Sequence, residues 1–450
     1  MKKVVVIGLG YVGLPLALLA AKAGLHVVGV DCNKERVDEI NNGVLVLDEP
    51  DFEQYLKDAL VNPYFTAKTE IQEADYFIIA VSTLLTADKR ADLSSISSAV
   101  SQISAVLKKG DTVILESTVP MGTTRSVAQV LAKESGLELG KDFFVAHCPE
   151  SVLSGNIFQE LKVNDRIIGA IDHNSVQHAA QFYKYFVSGD LYLTDVATAE
   201  MVKLIENSYR DLNIAFAHEI ATMAESEGLN PYEVIELANK HPRVSLLRPT
   251  CGVGGHCVPV DPLLLVESFP AHSELLKASR NVNEERTQTV FDNIEHAIVT
   301  WNAVHNVQPV VALWGLSYKP NIDDLRQSPA LKIAEQLVKR TDSSLVVCDP
   351  NVRSELLPTQ IAQVLQAPQD AIAQADIVVY LVAHTVFKQY ARKQQSQAHV
   401  LDFCGLLHEL RRESVEQEQF YWPACQSEKQ SIPELVHRVV DRSFLPEERS

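Results

Sequence analysis

The sequence predicts an alternating α/β fold of two doubly wound, parallel-sheet domains joined by a central helical domain with a long helix. Three observations predict it. Short β-branched apolar bursts recur near the start of the chain and again after residue 305, separated by helical stretches. A glycine-rich turn follows the first burst directly. Between the two sets, from Ala197 to about Glu227, apolar residues recur at helical spacing with no proline or strong breaker. With 450 residues, about three domains are expected. Their boundaries are placed at 1–195, 196–304 and 305–450.

Each element of the first set can be justified in order. Lys2–Leu9 reads KKVVVIGL and runs into Gly8-Leu9-Gly10-Tyr11-Val12-Gly13, after which Leu14–Lys22 has helical composition. Gly8 permits a tight turn, Gly10 lets backbone approach a pyrophosphate, and Gly13 lets helix and strand pack closely. The phosphates would rest on the helix N-terminus beside Tyr11 and Val12. A lone GxGxxG also occurs in other α/β turns, but here a second strand, Leu25–Val30, ends in Asp31, eighteen positions after Gly13. That is where a carboxylate meets ribose hydroxyls, and an acid there disfavours a 2′-phosphate. The expected cofactor is therefore NAD on a Rossmann-like domain, with Arg36 assigned to the same site. Strands at Tyr76–Val81 and Thr112–Glu116 put Ser82-Thr83 and Ser117-Thr118 at the cofactor crevice, and Phe143–Ala146 leads to His147-Cys148-Pro149-Glu150.

On the long helix, Lys203 and Asn207 lie four apart, with Glu200 and Arg210 on the same side. Taken alone they read as a solvated, salt-bridged face. The loop that follows, Gly252-Val-Gly254-Gly255-His256-Cys257-Val-Pro259-Val-Asp261-Pro262, suggests more. It leads into a helix expected to start near Cys257, which would lower the thiol pKa and put Cys257 and Asp261 on one face. A cysteine in isolation is more often a small buried residue than a nucleophile. The pairs His147-Cys148 and His256-Cys257 lack zinc-ligand spacing, so no metal is expected. In the last third, bursts at Pro309–Gly315, Ser344–Cys348, Asp376–Val382 and His399–Phe403 form a second sheet without GxGxxG. Its first strand leads to Lys319 and Arg326, which could hold phosphate oxygens.

Composition sets the outer limits. With 46% hydrophobic and 22% charged residues, the chain is neither disordered, collagen-like nor a disulfide scaffold. A formal charge of −18 repels phosphate backbones and argues against a nucleic-acid partner, while leaving room for a local pocket for one small anion. Cysteines at 32, 148, 251, 257, 348, 404 and 425 are odd in number and scattered, which points to reduced thiols in the cytoplasm. Lys2 and Lys3 precede the uncharged run Val4–Ala21, but Gly8, Gly10, Gly13 and Pro15 interrupt it, so no membrane segment is expected. The tail beyond Ser427 is charged and expected to be loosely held.

The motifs GLGYVGLPLA, STVPMGTT, AEMVKLIENSYRDLNIAFAHE, GVGGHCVPVDP and GLSYKPNIDDLRQSP, in that order, resemble the nucleotide-sugar 6-dehydrogenases of the UDP-glucose/GDP-mannose dehydrogenase superfamily over nearly the whole chain. Within it, HCPESVLSGNI, NDRIIG and ANKHPRV are most similar to members that oxidise UDP-N-acetyl-D-mannosamine for surface polysaccharides such as enterobacterial common antigen. The resemblance implies a two-NAD oxidation of C6 without release of aldehyde, Cys257 being the nucleophile. Lys203 and Asn207 would stabilise the oxyanion, Asp261 would support proton transfer, and Thr118 and Glu150 would order water, Thr118 also facing the cofactor. Arg210, Gly254 and Lys319 would contact the UDP-sugar and Arg326 would approach NAD. Arg243 would reach the partner's substrate in a homodimer.

Departures from the family pattern are Ser82 for proline, Ser151 for arginine, Ser154 for proline, Thr250-Cys251 for Gly-Pro, His218 for asparagine and Gln327 for an acid. None removes a proposed catalytic group. The sugar stays open between N-acetylmannosamine, N-acetylglucosamine and glucose forms, and a non-catalytic NAD-binding sensor is the alternative of a different class.

Overall fold

The computed structural model describes residues 1–419 except 45, 46, 48, 62, 63, 153, 154, 340–343 and 393–397. Ser154, Cys425 and the tail beyond Ser427 lie outside the described residues. The chain forms two compact units, Met1–Tyr209 with Val260–Lys277, and Arg210–Pro259 with the chain from Ala278 onward.

The first unit is built on β1 (Lys3–Ile7), β2 (His26–Val30), β3 (Phe65–Lys68), β4 (Tyr76–Ile79), the hairpin β5 (Leu84–Leu85) and β6 (Ala91–Asp92), β7 (Thr112–Leu115), β8 (Phe144–His147), β9 (Arg166–Ala170) and β10 (Leu191–Asp195). Eight of these form one sheet in the order β10-β9-β8-β7-β4-β1-β2-β3. Every pairing in it is parallel except β8 with β9. Residues alternate across each strand, so Val4 and Val6 pack with Leu14 and Leu18 of the helix Gly13–Lys22. Val5 and Ile7 face the other way, onto Ile96, Val100 and Leu131. Coverage on both faces explains why these strands read as continuous apolar bursts. It also gathers the carboxyl ends of β1, β2, β4, β7 and β8, which carry Gly8, Asp31, Ser82-Thr83, Ser117-Thr118 and Pro149-Glu150.

The long helix spans Val196–Ser226, within a residue of its expected bounds at each end. A second helix of similar length, Glu274–His305, was not singled out by the sequence. The second unit carries β11 (Val310–Trp314), β12 (Ser344–Cys348), β13 (Ile377–Tyr380) and β14 (His399–Asp402), all parallel in the order β12-β11-β13-β14. Val311 and Leu313 enter one core and Ala312 and Trp314 the opposite one. Among the described residues, no helix is long and apolar enough to cross a membrane.

Candidate active site

The glycine turn after β1 has the geometry its spacing requires. Gly8 sits at φ +92°, and a Cβ there would lie 2.6 Å from the Ala80 carbonyl oxygen. A Cβ on Gly13 would lie 1.9 Å from the Gly8 oxygen, so strand, turn and helix can close only around glycine. Gly10 is different: nothing lies within 4 Å of where its Cβ would be, which leaves an open approach to backbone. The helix that follows has no side-chain cap at Val12; the Leu14 N–H donates to the Gly10 carbonyl at 3.2 Å and Pro15 has no N–H, which leaves the Gly13 amide at its start for an anion.

Asp31 and Arg36 grip the same turn. The Leu9 N–H donates to Asp31 Oδ2 at 3.0 Å, and Arg36 Nε donates to the Leu9 carbonyl at 2.8 Å. The second Asp31 oxygen accepts from the Asn33 N–H at 2.9 Å, and each oxygen keeps a further lone-pair direction for a ribose hydroxyl. Asn33, missed in the sequence, also caps the helix Lys34–Asn41 through the Arg36 N–H. Thr83 donates to the Thr118 carbonyl at 2.8 Å, and Ser117 to that of Val81 at 2.6 Å, tying the ends of β4 and β7 together. Open backbone at Gly10, an uncapped helix start and a carboxylate closing β2 together fit NAD.

A second group gathers in the same unit around the long helix. Lys203 is only 5% exposed, and its ammonium lies 3.6 Å from Glu150 Oε1. The other Glu150 oxygen accepts from the Val152 N–H at 2.9 Å. Asn207 donates to Asp261 Oδ2 at 2.5 Å. Burial pushes the Asp261 carboxyl up to about 6, although the Asn207 bond and the Lys203 charge pull the other way. Glu200 points elsewhere, accepting from the Gly122 N–H at 2.6 Å and the Thr124 N–H at 2.8 Å, at the start of the helix Thr123–Ser135. Ser151 donates to Glu206 at 3.0 Å. Fully buried beneath this group, His147 is pushed down to about 3 by desolvation and stays neutral.

Cys257 belongs to the second unit and is half-buried. The expected helix N-terminus at this cysteine is not found. The helix runs Asp261–Ser268 with Val260 at its N-cap, so Cys257 stands in the turn ahead of it and does not share a helical face with Asp261. Gly255 at φ +87° and the restriction Pro259 places on Val258 stop the helix from extending back. The helix-terminus argument for an acidic thiol therefore does not apply.

The cysteine loop meets the loop after β11 within this unit. Gly255 N–H donates to the Arg326 carbonyl at 2.9 Å, and a Cβ on Gly254 would lie 2.7 Å from Tyr318 Cβ and 2.8 Å from the Gln327 oxygen. The Arg326 guanidinium pairs with Asp324, Nη2 to Oδ2 at 2.6 Å. Lys319 is half-buried, its carbonyl accepting from Ser317 Oγ at 2.9 Å. Arg210 and Arg243 are both exposed.

Sequence reasoning missed Asp349 and His384, which hold the Lys319 loop. Asp349 Oδ2 accepts from the Leu316 and Ser317 amides at 2.7 and 3.1 Å, and His384 Nδ1 accepts from the Asn321 N–H at 3.0 Å. A signal was present. Asp349 follows β12 as Asp31 follows β2, and each grips the residue after a positive-φ glycine, Gly315 or Gly8. Among the described residues, no group of three or more His, Cys, Asp or Glu could hold a metal ion.

A dinucleotide turn on one sheet and, in the same unit, a Lys–Asn–Asp–Glu group with Lys203 and Asp261 buried define an NAD-dependent dehydrogenase. The chain belongs to the UDP-glucose/GDP-mannose dehydrogenase family: its NAD binding domain model matches residues 2–187, its central domain 197–285 and its UDP binding domain 312–409. NAD is the cofactor and the substrate is a UDP-sugar. The chain is 42% identical over 412 residues to the UDP-N-acetyl-D-mannosamine dehydrogenase of Campylobacter jejuni, covering 89% of this chain and 99% of that one. It is 41% identical over 409 residues to the NDP-N-acetyl-D-galactosaminuronic acid dehydrogenase of Ralstonia solanacearum, covering 89% and 95%. A UDP-D-ManNAc dehydrogenase structure from Pyrococcus horikoshii superposes with a TM-score of 0.81 at 36% identity, covering 90% of this chain and 96% of that one.

Proposed function

We propose that this enzyme oxidises the C6 hydroxyl of UDP-N-acetyl-D-mannosamine to the uronate, a four-electron reaction with two NAD, supplying surface polysaccharide synthesis from the cytoplasm. The observation that carries the sugar is the 42% identity to an enzyme of that name along almost its whole length. The 41% identity to the N-acetyl-galactosaminuronic relative favours a galacto-configured N-acetylated sugar as the second reading.

The division of labour follows from the residues. Residues 1–195 would bind the cofactor, 196–304 would carry the cysteine loop and dimer contacts, and 305–450 would bind UDP. Gly8, Gly10, Tyr11, Val12, Gly13, Asp31, Arg36, Thr83, Thr118 and Arg326 would hold NAD, which when bound accepts one hydride in each of the two oxidations. Cys257 adds to the C6 carbonyl as a thiohemiacetal, which retains the aldehyde. Oxidation leaves a thioester at Cys257, and water cleaves it to the acid and the free thiol. Lys203 supplies a cation to each tetrahedral oxyanion, and Asn207 has a second amide hydrogen to offer beyond the one Asp261 accepts. Asp261, poised at about 6, takes and returns protons near neutrality. Glu150 and Thr118 orient the water, while Arg210, Gly254 and Lys319 contact the UDP-sugar. Arg243 would reach the site of a second copy.

NADH yield per sugar tests this directly, with the N-acetylmannosamine, N-acetylgalactosamine, N-acetylglucosamine and glucose forms of UDP-sugar offered separately. Two NADH per molecule, highest with the mannosamine form, is the expected result. Cys257→Ser should bind NAD normally yet make no more than a trace of acid. Normal acid production by that variant would end the covalent mechanism, and NAD binding without reduction of NAD by any sugar would favour a sensor.

A further inference from the structure

Beneath the cysteine loop, the second unit holds a buried polar network that the mechanism above does not use. His218 on the long helix is almost completely buried, and its Nδ1 lies 2.8 Å from Asn283 Oδ1 on the helix Glu274–His305. Asn283 spends its amide hydrogens on Asp211, reaching the carbonyl at 3.0 Å and Oδ1 at 2.8 Å, so its own oxygen can only accept. Asp211 is itself paired with Arg280 and accepts from Ser279 at 3.1 Å, which fixes the orientation of the whole set. Nδ1 of His218 must therefore carry the proton, and Nε2 is left as a lone-pair acceptor. Burial keeps the ring neutral by pushing its pKa down to about 3, with Arg286 and Arg280 adding to the effect.

That acceptor faces Thr250. The Thr250 N–H donates to His218 Nε2 at 3.2 Å, the Thr250 carbonyl accepts from Arg286 Nε at 3.2 Å, and the Thr250 hydroxyl donates to the Gly252 carbonyl at 2.7 Å. Arg286 is braced in turn by Glu225 at 2.9 and 3.1 Å. Gly252 has no room for a side chain: at φ +143°, an added Cβ would lie 2.3 Å from Thr287 Oγ1 and 2.9 Å from Pro329. Every polar atom of Thr250 is thus engaged, just ahead of the glycines that lead to Cys257.

We propose that His218, in its Nδ1–H tautomer, is a positioning residue for the Cys257 loop, clasping Thr250 so that the loop leaves the protein interior in one conformation. The proposal rests on the reading of Cys257 as the nucleophile. Asparagine places a donor where Nδ1 stands, and glutamine places an acceptor where Nε2 stands, so the two substitutions separate the network bond from the loop bond.

The test uses the full-length protein and two readouts. Alkylation of Cys257 by iodoacetamide is followed by peptide mass spectrometry against exposed Cys32 as internal reference, and kcat and KM are measured alongside. His218→Asn, which drops the Thr250 bond, should change the Cys257-to-Cys32 alkylation ratio by about threefold or more. Its kcat should fall by about fivefold or more while KM for NAD stays within about twofold. His218→Gln should bring both back toward wild type. An unchanged ratio in His218→Asn, or equal defects in the two variants, would overturn the proposal. Should His218→Asn fail to fold, Thr250→Val removes the hydroxyl that lies 3.2 Å from His218 Nε2 and holds the Gly252 carbonyl, and is judged by the same ratio, an unchanged value again overturning it. If the wild type reduces no NAD with any UDP-sugar, the assigned function fails, while the alkylation ratio still decides the clasp.

Discussion

At Asp261 two influences compete, burial raising the carboxyl to about 6 and the Asn207 bond with the Lys203 charge restraining it. If the ionised form accepts a proton during turnover, kcat/KM should fall as pH drops through about 6, and Asp261→Asn should remove that acid limb along with most activity. The stability consequence has the opposite sense. A carboxyl whose folded pKa is raised contributes stability that is fully present below its unfolded value and is lost as pH rises through about 6. At pH 8, Asp261→Asn should therefore be more stable than wild type by up to about 3 kcal/mol in denaturant titration; a loss instead would mean the ionised group is better solvated than its burial implies. Lys203 and Asn207 were legible because a helix puts residues four apart on one face. Asp261 and Glu150 were reached through the family resemblance, but their pairings were not: Asp261 is 54 positions from Asn207, and no spacing rule spans that distance. Glu200 lies on the same face yet caps another helix, which only the tertiary fold decides.

At the scale of single elements, the first turn and helix allow a paired test. Gly10→Ala meets nothing within 4 Å, so its melting temperature should match wild type while NAD titration weakens at least tenfold. Gly13→Ala would collide with the Gly8 carbonyl and should lower the melting temperature and NAD affinity together. If Gly10→Ala binds NAD normally, the pyrophosphate does not approach there. Glu200→Ala strips the amides of Gly122 and Thr124 of their acceptor, and should cost about 1–2 kcal/mol in equilibrium unfolding. The bursts at β1, β4, β7, β11 and β13 were legible because both faces of each strand are covered. Three strands of the large sheet left no such mark. β3 is short and half-buried in alternation, β9 opens with buried Arg166, and edge strand β10 exposes Tyr192 and Leu193. The turn at Cys257 was misread because Pro259 and Asp261-Pro262 both suggest a helix start, and only the second begins one.

For the whole molecule, the long helix presents Ile205, Tyr209, Phe216 and Met223, all half or more exposed, at intervals that keep them on one face. An apolar stripe of that kind on so acidic a protein suits a second copy, as the proposed homodimer requires. Light scattering should give a dimer or a multiple of it, and Tyr209→Glu with Phe216→Glu should yield a folded monomer with little activity. A wild-type monomer would sink that assembly.

The chain's path through the two units has one more consequence. Residues Val260–Lys277 return to the first unit, where Leu264 and Leu265 pack with Leu204, and Glu267 pairs with Arg90. The ribosome therefore cannot release a finished first unit when residue 209 has emerged. It must hold Leu204 uncovered until the cysteine loop and the segment behind it have been made. A gene cut after the dinucleotide sheet would encode a protein with that apolar seam open, and nascent chains stalled between 209 and 277 should be the ones that chaperones retain.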